Sequence, residues 1–220
     1  EKIKRFGAPQ LDIYKTRSTV TREIFCSRHS LSSDNLIVLY AGSSKGVDEY
    51  SHLEFLERLI RAKYSDSVRV IYRPHPLDLT SKGDIKVVKK ILNKFKNNKK
   101  FSCDFSTSYI KSFKNSKFLI TDLSSTAYTY SFATEQPVIF FSKNEKELKN
   151  DYFSKLNYFK DRKKIGAVTR NINDLIKIFK NKTIYNSKIQ KNIINLRKNR
   201  IEFFESAVKR TANEINKIRQ

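Results

Sequence analysis

The apolar positions of the chain fall into short runs divided by polar turns, and the segments between the runs carry a different spacing. Asn35-Leu-Ile-Val-Leu-Tyr-Ala41 is apolar at every position after Asn35, the pattern of a strand covered on both faces. Ser67–Tyr72, a shorter piece at Phe101–Phe105, Lys117–Thr121 and Pro137–Phe141 read as further strands. Between them the spacing turns helical. Ser51 and Glu54 stand in capping-box register around Leu53, Leu56, Leu59 and Ile60. Asp84 can cap a helix whose Ile85, Val88, Ile91, Leu92 and Phe95 form one stripe. Helices are also predicted over 106–115, with Ile110 and Phe113 inward, over 124–134, and over 171–180, with Ile172, Leu175, Ile176 and Phe179 inward. Residues 187–218 read as two helices, and Thr19–His29 as a short one. Strand and helix alternate at least four times, so the class is α/β: a Rossmann-like parallel sheet with helices on both faces.

This pattern divides the chain into residues 1–33, an interdomain connection with a short helix; 34–183, a Rossmann-like nucleotide-binding domain; and 184–220, C-terminal helices. Gly7-Ala8-Pro9-Gln10-Leu11-Asp12 marks a turn in the first segment, since glycine permits unusual backbone angles and proline fixes one. The chain begins at Glu1 and contains no Met, so it is expected to be a piece of a longer protein.

Composition refines this picture. Hydrophobic residues make up 39% of the 220, enough for a real core. No apolar run approaches the roughly 20 residues that span a bilayer, and no secretion signal is read at the N-terminus. Cys26 and Cys103 lie far apart without a Cys-x-x-Cys or His partner, so neither zinc nor a disulfide framework is expected. The expected setting is cytoplasmic, with peripheral contact to the inner face of the membrane. The formal charge of +23 is distributed rather than focused. No zinc-finger, RRM, KH or homeodomain pattern accompanies it, which disfavours nucleic acid. About half of the excess is assigned to a Lys/Asn/Ile-rich composition, and the rest to a membrane surface or polyanionic product.

In open α/β sheets ligands bind beyond the carboxyl ends of the strands, and three loops hold that position. Gly42-Ser43-Ser44-Lys45-Gly46 offers backbone N–H groups, hydroxyls and an ammonium to an anion, but lacks the Gly-Lys-Ser/Thr of a P-loop. An ordinary surface loop is the competing reading. Arg73-Pro74-His75-Pro76 follows Val70-Ile71-Tyr72, and its prolines stiffen the turn. Arg73 could grip phosphate with its planar fork, and His75 could donate to phosphate or act as acid or base; alternatively His75 caps the turn. Asp122-Leu123-Ser124-Ser125-Thr126 opens a helix, whose unpaired N–H groups and positive dipole end suit a diphosphate. Asp122 or Ser124 could equally serve as a simple cap. His29 and His52 read as surface or structural residues, and Tyr128, Tyr130 and Phe132 as core.

The order strand, Arg73-Pro-His-Pro76, then Phe118-Leu-Ile-Thr-Asp-Leu-Ser-Ser-Thr-Ala127, then Pro137-Val-Ile-Phe-Phe141 resembles the C-terminal domain of bacterial CDP-glycerol glycerophosphotransferases and related capsule transferases. The Gly-x-Pro-x-x-Asp of residues 7–12 is similar to the segment where such proteins leave their first domain. The resemblance spans most of residues 7–180 and implies one half of a GT-B fold, two Rossmann-like domains facing across a cleft. It implies that Arg73 and His75 contact donor phosphates or assist transfer, that Ser124, Ser125 and Thr126 hold the diphosphate, and that Asp122 orders the turn. The loop residues Ser43 and Ser44 join the donor-binding set. Two departures stand out: Leu123 replaces an aromatic residue, and no carboxylate occurs between Ser124 and Thr134, which leaves Glu135 as a candidate for the ribose.

The implied function is transfer of a glycerol-phosphate, polyol-phosphate or sugar unit from a CDP- or UDP-linked donor to an anionic polymer or lipid-linked acceptor of teichoic acid or capsule type. No metal and no separate cofactor are expected. The rival readings are a UDP-sugar 2-epimerase, for which no poised acidic set is visible, and a basic module binding nucleic acid or anionic membrane.

Overall fold

The computed structural model describes residues 5, 7–16, 20–43, 52–62, 66–80, 85–142, 145–146, 152–181, 184 and 186–218. Ser44, Lys45, Gly46, Ser51 and Asp84, named above for a loop and two caps, lie outside the described residues. Six strands form one sheet: β1 (Leu36–Tyr40), β2 (Val68–Tyr72), β3 (Phe101–Cys103), β4 (Phe118–Thr121), β5 (Val138–Phe141) and β6 (Gly166–Thr169). Their spatial order is β3-β2-β1-β4-β5-β6, and every adjacent pair is parallel. The chain therefore builds outward from β1 to one edge, then returns to lay β4 on β1's other side. The connections leaving β1 and β4 part in opposite directions, and this reversal opens a crevice at their carboxyl ends.

Alternation along each strand sends successive side chains to opposite faces. Val38, Tyr40, Val70, Tyr72, Ile120 and Ile139 pack on one face beneath α3 (His52–Arg61), α4 (Ile85–Phe95) and α8 (Ile172–Asn181). Ile37, Leu39, Ile71, Leu119 and Phe140 pack on the other, beneath α1 (Pro9–Thr16), α2 (Arg22–Arg28), α5 (Ile110–Asn115), α6 (Thr126–Thr134) and α9 (Ser187–Arg200). Ile37, Val38, Leu39 and Tyr40 are all fully buried. Each such aliphatic side chain contributes about 1.5–3 kcal/mol by leaving water, which is why the run is apolar at every position.

Besides two 3₁₀ turns, three elements carry no helix or strand expectation: α7 (Asn157–Ile165), β6, and α1, which starts at Pro9 and runs through the stretch read as a turn, because proline is accommodated in the first turn of a helix. The apolar stripe of α7 is interrupted by Lys160-Asp-Arg-Lys-Lys164, and β6 is four small residues long. Gly166 is needed there because a Cβ would lie 1.7 Å from the Val138 carbonyl oxygen. Three predicted helices begin later than expected. α2, read from Thr19, starts at Arg22 behind its Thr21 cap. α5 starts at Ile110 because Ser106 is taken up by the loop after β3, and α6 starts at Thr126.

Residues 1–33 contribute to the second core through Ala8, Leu11, Phe25 and Cys26. Arg22 fastens this region by donating to the carbonyls of Ser33, Asn115 and Asn35 at 2.7, 2.8 and 2.6 Å. Gly7 adopts φ +88°, and a Cβ there would meet the Glu202 carbonyl at 2.3 Å. Asp12 accepts from the backbone of Val208 at 2.8 Å, at the start of α10 (Ala207–Ile218). Gly7 and α1 thus meet Glu202 and the start of α10. Among the described residues, no helix is long and apolar enough to cross a membrane.

Candidate functional site

A cleft of about 310 Å³ opens at the carboxyl ends of β1, β2 and β4. Its walls are Ala41 and Gly42 after β1, Arg73–Pro76 after β2, Thr107, Tyr109 and Phe113 near α5, and Ser125, Thr126 and Thr129 at the start of α6. The volume lies at the low end of the range for small-molecule sites. Its place is the crevice created by the reversal of strand order.

The loop after β1 is bound to the loop after β4. Thr121 Oγ1 donates to the Ala41 carbonyl at 2.6 Å. Asp122 then accepts from Ser43 N at 3.0 Å, from Ser43 Oγ at 2.9 Å and from Ser124 N at 2.9 Å. A carboxylate accepts several such bonds at once, so Asp122 fixes both loops by a single side chain. Ser43 is therefore directed at Asp122.

The Arg73–Pro76 turn begins with Arg73 N donating to the Tyr40 carbonyl at 2.9 Å. Pro76 opens a single 3₁₀ turn, Pro76–Leu79, and His75 caps it by accepting from Leu77 N at Nδ1, 3.2 Å away. Capping and anion contact are compatible. With Nδ1 an acceptor, the neutral ring carries its proton on Nε2, the nitrogen left to donate to a ligand. Arg73 is placed differently from the expectation that its fork grips phosphate. Its Nη1 donates to Asp104 at 2.6 Å, and its Nη2 to the Ser106 carbonyl at 2.7 Å. The guanidinium borders the cleft, but its hydrogen bonds tie β2 to the loop after β3. Burial alone would raise the Asp104 carboxyl. Bonds from Ser106 and Ser112 and the Arg73 charge outweigh that and hold it below its ordinary value.

At the third loop Ser124 Oγ bonds Thr126 Oγ1 at 3.1 Å and accepts from Thr126 N at 3.3 Å. Ser125 occupies the N-cap position but makes no side-chain capping bond, and with Thr126 it faces the cleft. The positive end of the α6 dipole is aimed there too. Tyr158 supports the turn from beneath by donating to the Leu123 carbonyl, and Tyr128 donates in turn to the Tyr158 carbonyl.

Glu135, the ribose candidate, is separated from these groups. It caps the other end of α6 with φ 58° and accepts from Arg197 at 2.7 Å. Nine helical residues at about 1.5 Å each put it roughly 13 Å from the cleft end. Tyr130, between them, is fully buried and donates to the Ser116 carbonyl at 3.0 Å. The sequence reading did not single out Thr107, Tyr109 and Thr129 as site residues, and gave Asp104 no role there. The pattern Asp104-Phe-Ser106 after a short strand was the available signal, because an Asp two residues before a Ser forms a local side-chain turn.

No carboxylate is among the described residues that line the cleft. Among the described residues there is also no cluster of three or more His, Cys, Asp or Glu that could hold a metal ion.

Solved structures share this architecture. A variant of the wall teichoic acid polymerase TagF superposes with a TM-score of 0.71 at 20% identity, over 97% of this chain and 51% of that one. A TagF variant soaked with CDPG superposes at 0.61 and 21% identity, over 96% and 49%. The fold is thus that of half of the GT-B TagF molecule. The minor teichoic acid biosynthesis protein GgaB of Bacillus subtilis (strain 168) is 29% identical over 175 residues, which are 78% of this chain and 17% of GgaB. The chain therefore spans about half of the TagF chains and a smaller share of GgaB. The family model for CDP-glycerol:poly(glycerophosphate) glycerophosphotransferase matches residues 1–215, and the chain belongs to that family.

Proposed function

We propose that the cleft binds the diphosphate of a CDP-linked donor, and that the chain is the donor-binding half of a transferase building an anionic cell-surface polymer. The observation that carries this reading is the convergence of the His75 turn and the start of α6 on one crevice. Nε2–H of His75, the Ser125 and Thr126 hydroxyls and the α6 dipole supply donors and positive potential without a lining carboxylate to repel phosphate. Asp122 and Arg73 act one step back, as the ties that hold these loops.

In the transfer, an acceptor hydroxyl attacks the phosphorus that carries the glycerol unit. The bond from that phosphorus to the bridging oxygen breaks, and the nucleotide monophosphate leaves with the electron pair. Donors aimed at the diphosphate stabilise that developing charge, which is the main catalytic contribution available to this half. The hydroxyl proton goes to a base outside the described cleft residues. The acceptor is an anionic polymer or its lipid-linked form, and the basic surface favours a peripheral position on an anionic membrane.

Calorimetry with CDP-glycerol and UDP-linked sugars tests the reading. CDP-glycerol is expected to bind, and the Ser125→Ala/Thr126→Ala protein to bind at least about tenfold more weakly, the scale of losing charge-assisted hydrogen bonds. The donor site is refuted if neither donor class binds, or if the double variant matches the parent.

A further inference from the structure

Beneath the His75 turn lies a buried polar chain that the proposed transfer does not use. His52, at the start of α3, is 3% exposed, and Asp78, within the 3₁₀ turn, is 1% exposed. The Tyr40 hydroxyl lies 2.7 Å from His52 Nδ1, and His52 Nε2 lies 3.6 Å from Asp78 Oδ2. The rings of Tyr40 and Tyr72 stack at 5.6 Å, and Tyr72 also sits 5.7 Å from the His52 ring. Asp78 is joined to the site directly, because its backbone N–H donates to the His75 carbonyl at 2.9 Å.

The groups have complementary roles. Burial pushes both tyrosine hydroxyls well above their ordinary values, so Tyr40 remains an O–H donor. With Nδ1 of His52 accepting from Tyr40, its proton stands on Nε2, toward Asp78. A carboxylate this deeply buried is costly unless a cationic or N–H partner faces it. His52 supplies that partner from another element of the fold. The pairing therefore fixes where Asp78 sits, and with it the single turn whose N–H groups determine which His75 nitrogen accepts.

We infer that His52 and Asp78 are a positioning pair that holds the His75 turn in place and keeps the His75 proton on Nε2, facing the cleft. Neither residue touches a ligand; both act through the Pro76–Leu79 turn. The positioning claim concerns the free protein, while its consequence for the donor rests on the function proposed above.

The chain has only three histidines, so two-bond nitrogen–proton spectra of ¹⁵N-histidine-labelled protein resolve each ring, and a His75→Ala sample identifies the relevant signals. In the parent, His75 is expected to show the pattern of a protonated Nε2 and an unprotonated Nδ1. In Asp78→Asn, which removes the charge at nearly constant shape, that pattern is expected to give way to mixed tautomers, with CDP-glycerol bound about fivefold more weakly. Tyr40→Phe deletes one hydroxyl and serves if Asp78→Asn does not fold; a smaller change in the same direction is expected. His52→Gln, which keeps an N–H donor toward Asp78, is expected to preserve the parent pattern better than His52→Phe. An unaltered His75 pattern in folded Asp78→Asn, or in folded Tyr40→Phe and His52→Phe together, overturns the positioning role. A changed pattern with unchanged CDP-glycerol affinity upholds the positioning role and counts against the donor site.

Discussion

Two arginine–carboxylate pairs stand near the carboxyl ends of the strands, and their surroundings differ. Arg162 is 2% exposed and donates from Nη2 to both oxygens of Glu145 at 2.9 and 3.0 Å. Its guanidinium carbon lies 3.7 Å from the centre of the Phe159 ring. Arg73 has a side chain 14% exposed and stands at the rim of the cleft, where Asp104 and the Ser106 carbonyl take its donors. The first pair is enclosed by protein and stabilises the β5–β6 side of the sheet. The second holds the wall of a crevice that stays open. The same ion pair is thus an interior strut in one place and the backing of a binding surface in the other.

Breaking each pair should separate these roles. The largest effect is expected from Arg162→Ala, which leaves Glu145 buried without its cation and costs about 3–5 kcal/mol, the range for disrupting a buried pair from one side. Urea unfolding measures it, and folded protein should retain parental affinity for CDP-glycerol. Asp122→Asn is expected to cost about 1–3 kcal/mol by weakening the bonds to Ser43 and Ser124. It should also lower donor affinity by about tenfold, because both loops lose their common tie. If affinity holds while stability falls, Asp122 belongs with the struts.

A smaller effect concerns acid. Asp104 is held below its ordinary value of 3.8, so its contribution to stability is fully present above that pH and is lost as pH falls through the lower folded value. Asp104→Asn should flatten the fall in melting temperature below about pH 4 relative to the parent, with little change in slope above pH 5. An unchanged acid limb would show that the bonds from Ser106 and Ser112 and the Arg73 charge do not hold the Asp104 carboxyl down in solution. The smallest stability change, within about 1 kcal/mol, is expected for Ser125→Ala, since that hydroxyl makes no capping bond; its effect should fall on ligand affinity instead.

The comparison also explains what was legible in the sequence. β1, β2, β4 and β5 announce themselves because strands covered on both faces are apolar almost throughout, Arg69 of β2 and Thr121 of β4 being the exceptions. α3, α4 and α8 do so because one face meets the sheet and the other meets water. β6 is hidden: a short edge strand that needs glycine for close approach to Val138 has no apolar run to display. α7 is hidden because its buried face includes Asp161 and Arg162, charges whose partners include Arg200 and Glu145 from outside the helix. The strand-end loops were legible as a set, since parallel topology sends them to one edge. The commitments of individual side chains were not. Arg73 binds residues about thirty positions away, Ser43 binds a residue seventy-nine positions away, and Glu135 is carried off by the direction of the helix it ends. Local pattern marks where a residue stands along an element, whereas its partner is chosen by packing.

A structure of this chain with CDP-glycerol bound tests the central claim most directly. The account predicts diphosphate oxygens within hydrogen-bond reach, about 3.2 Å or less, of His75 Nε2 and of a Ser125 or Thr126 donor, with Arg73 still on Asp104. A diphosphate seated elsewhere, for instance in the basic groove of Arg28, Lys96 and Lys99 beside β3, would contradict it.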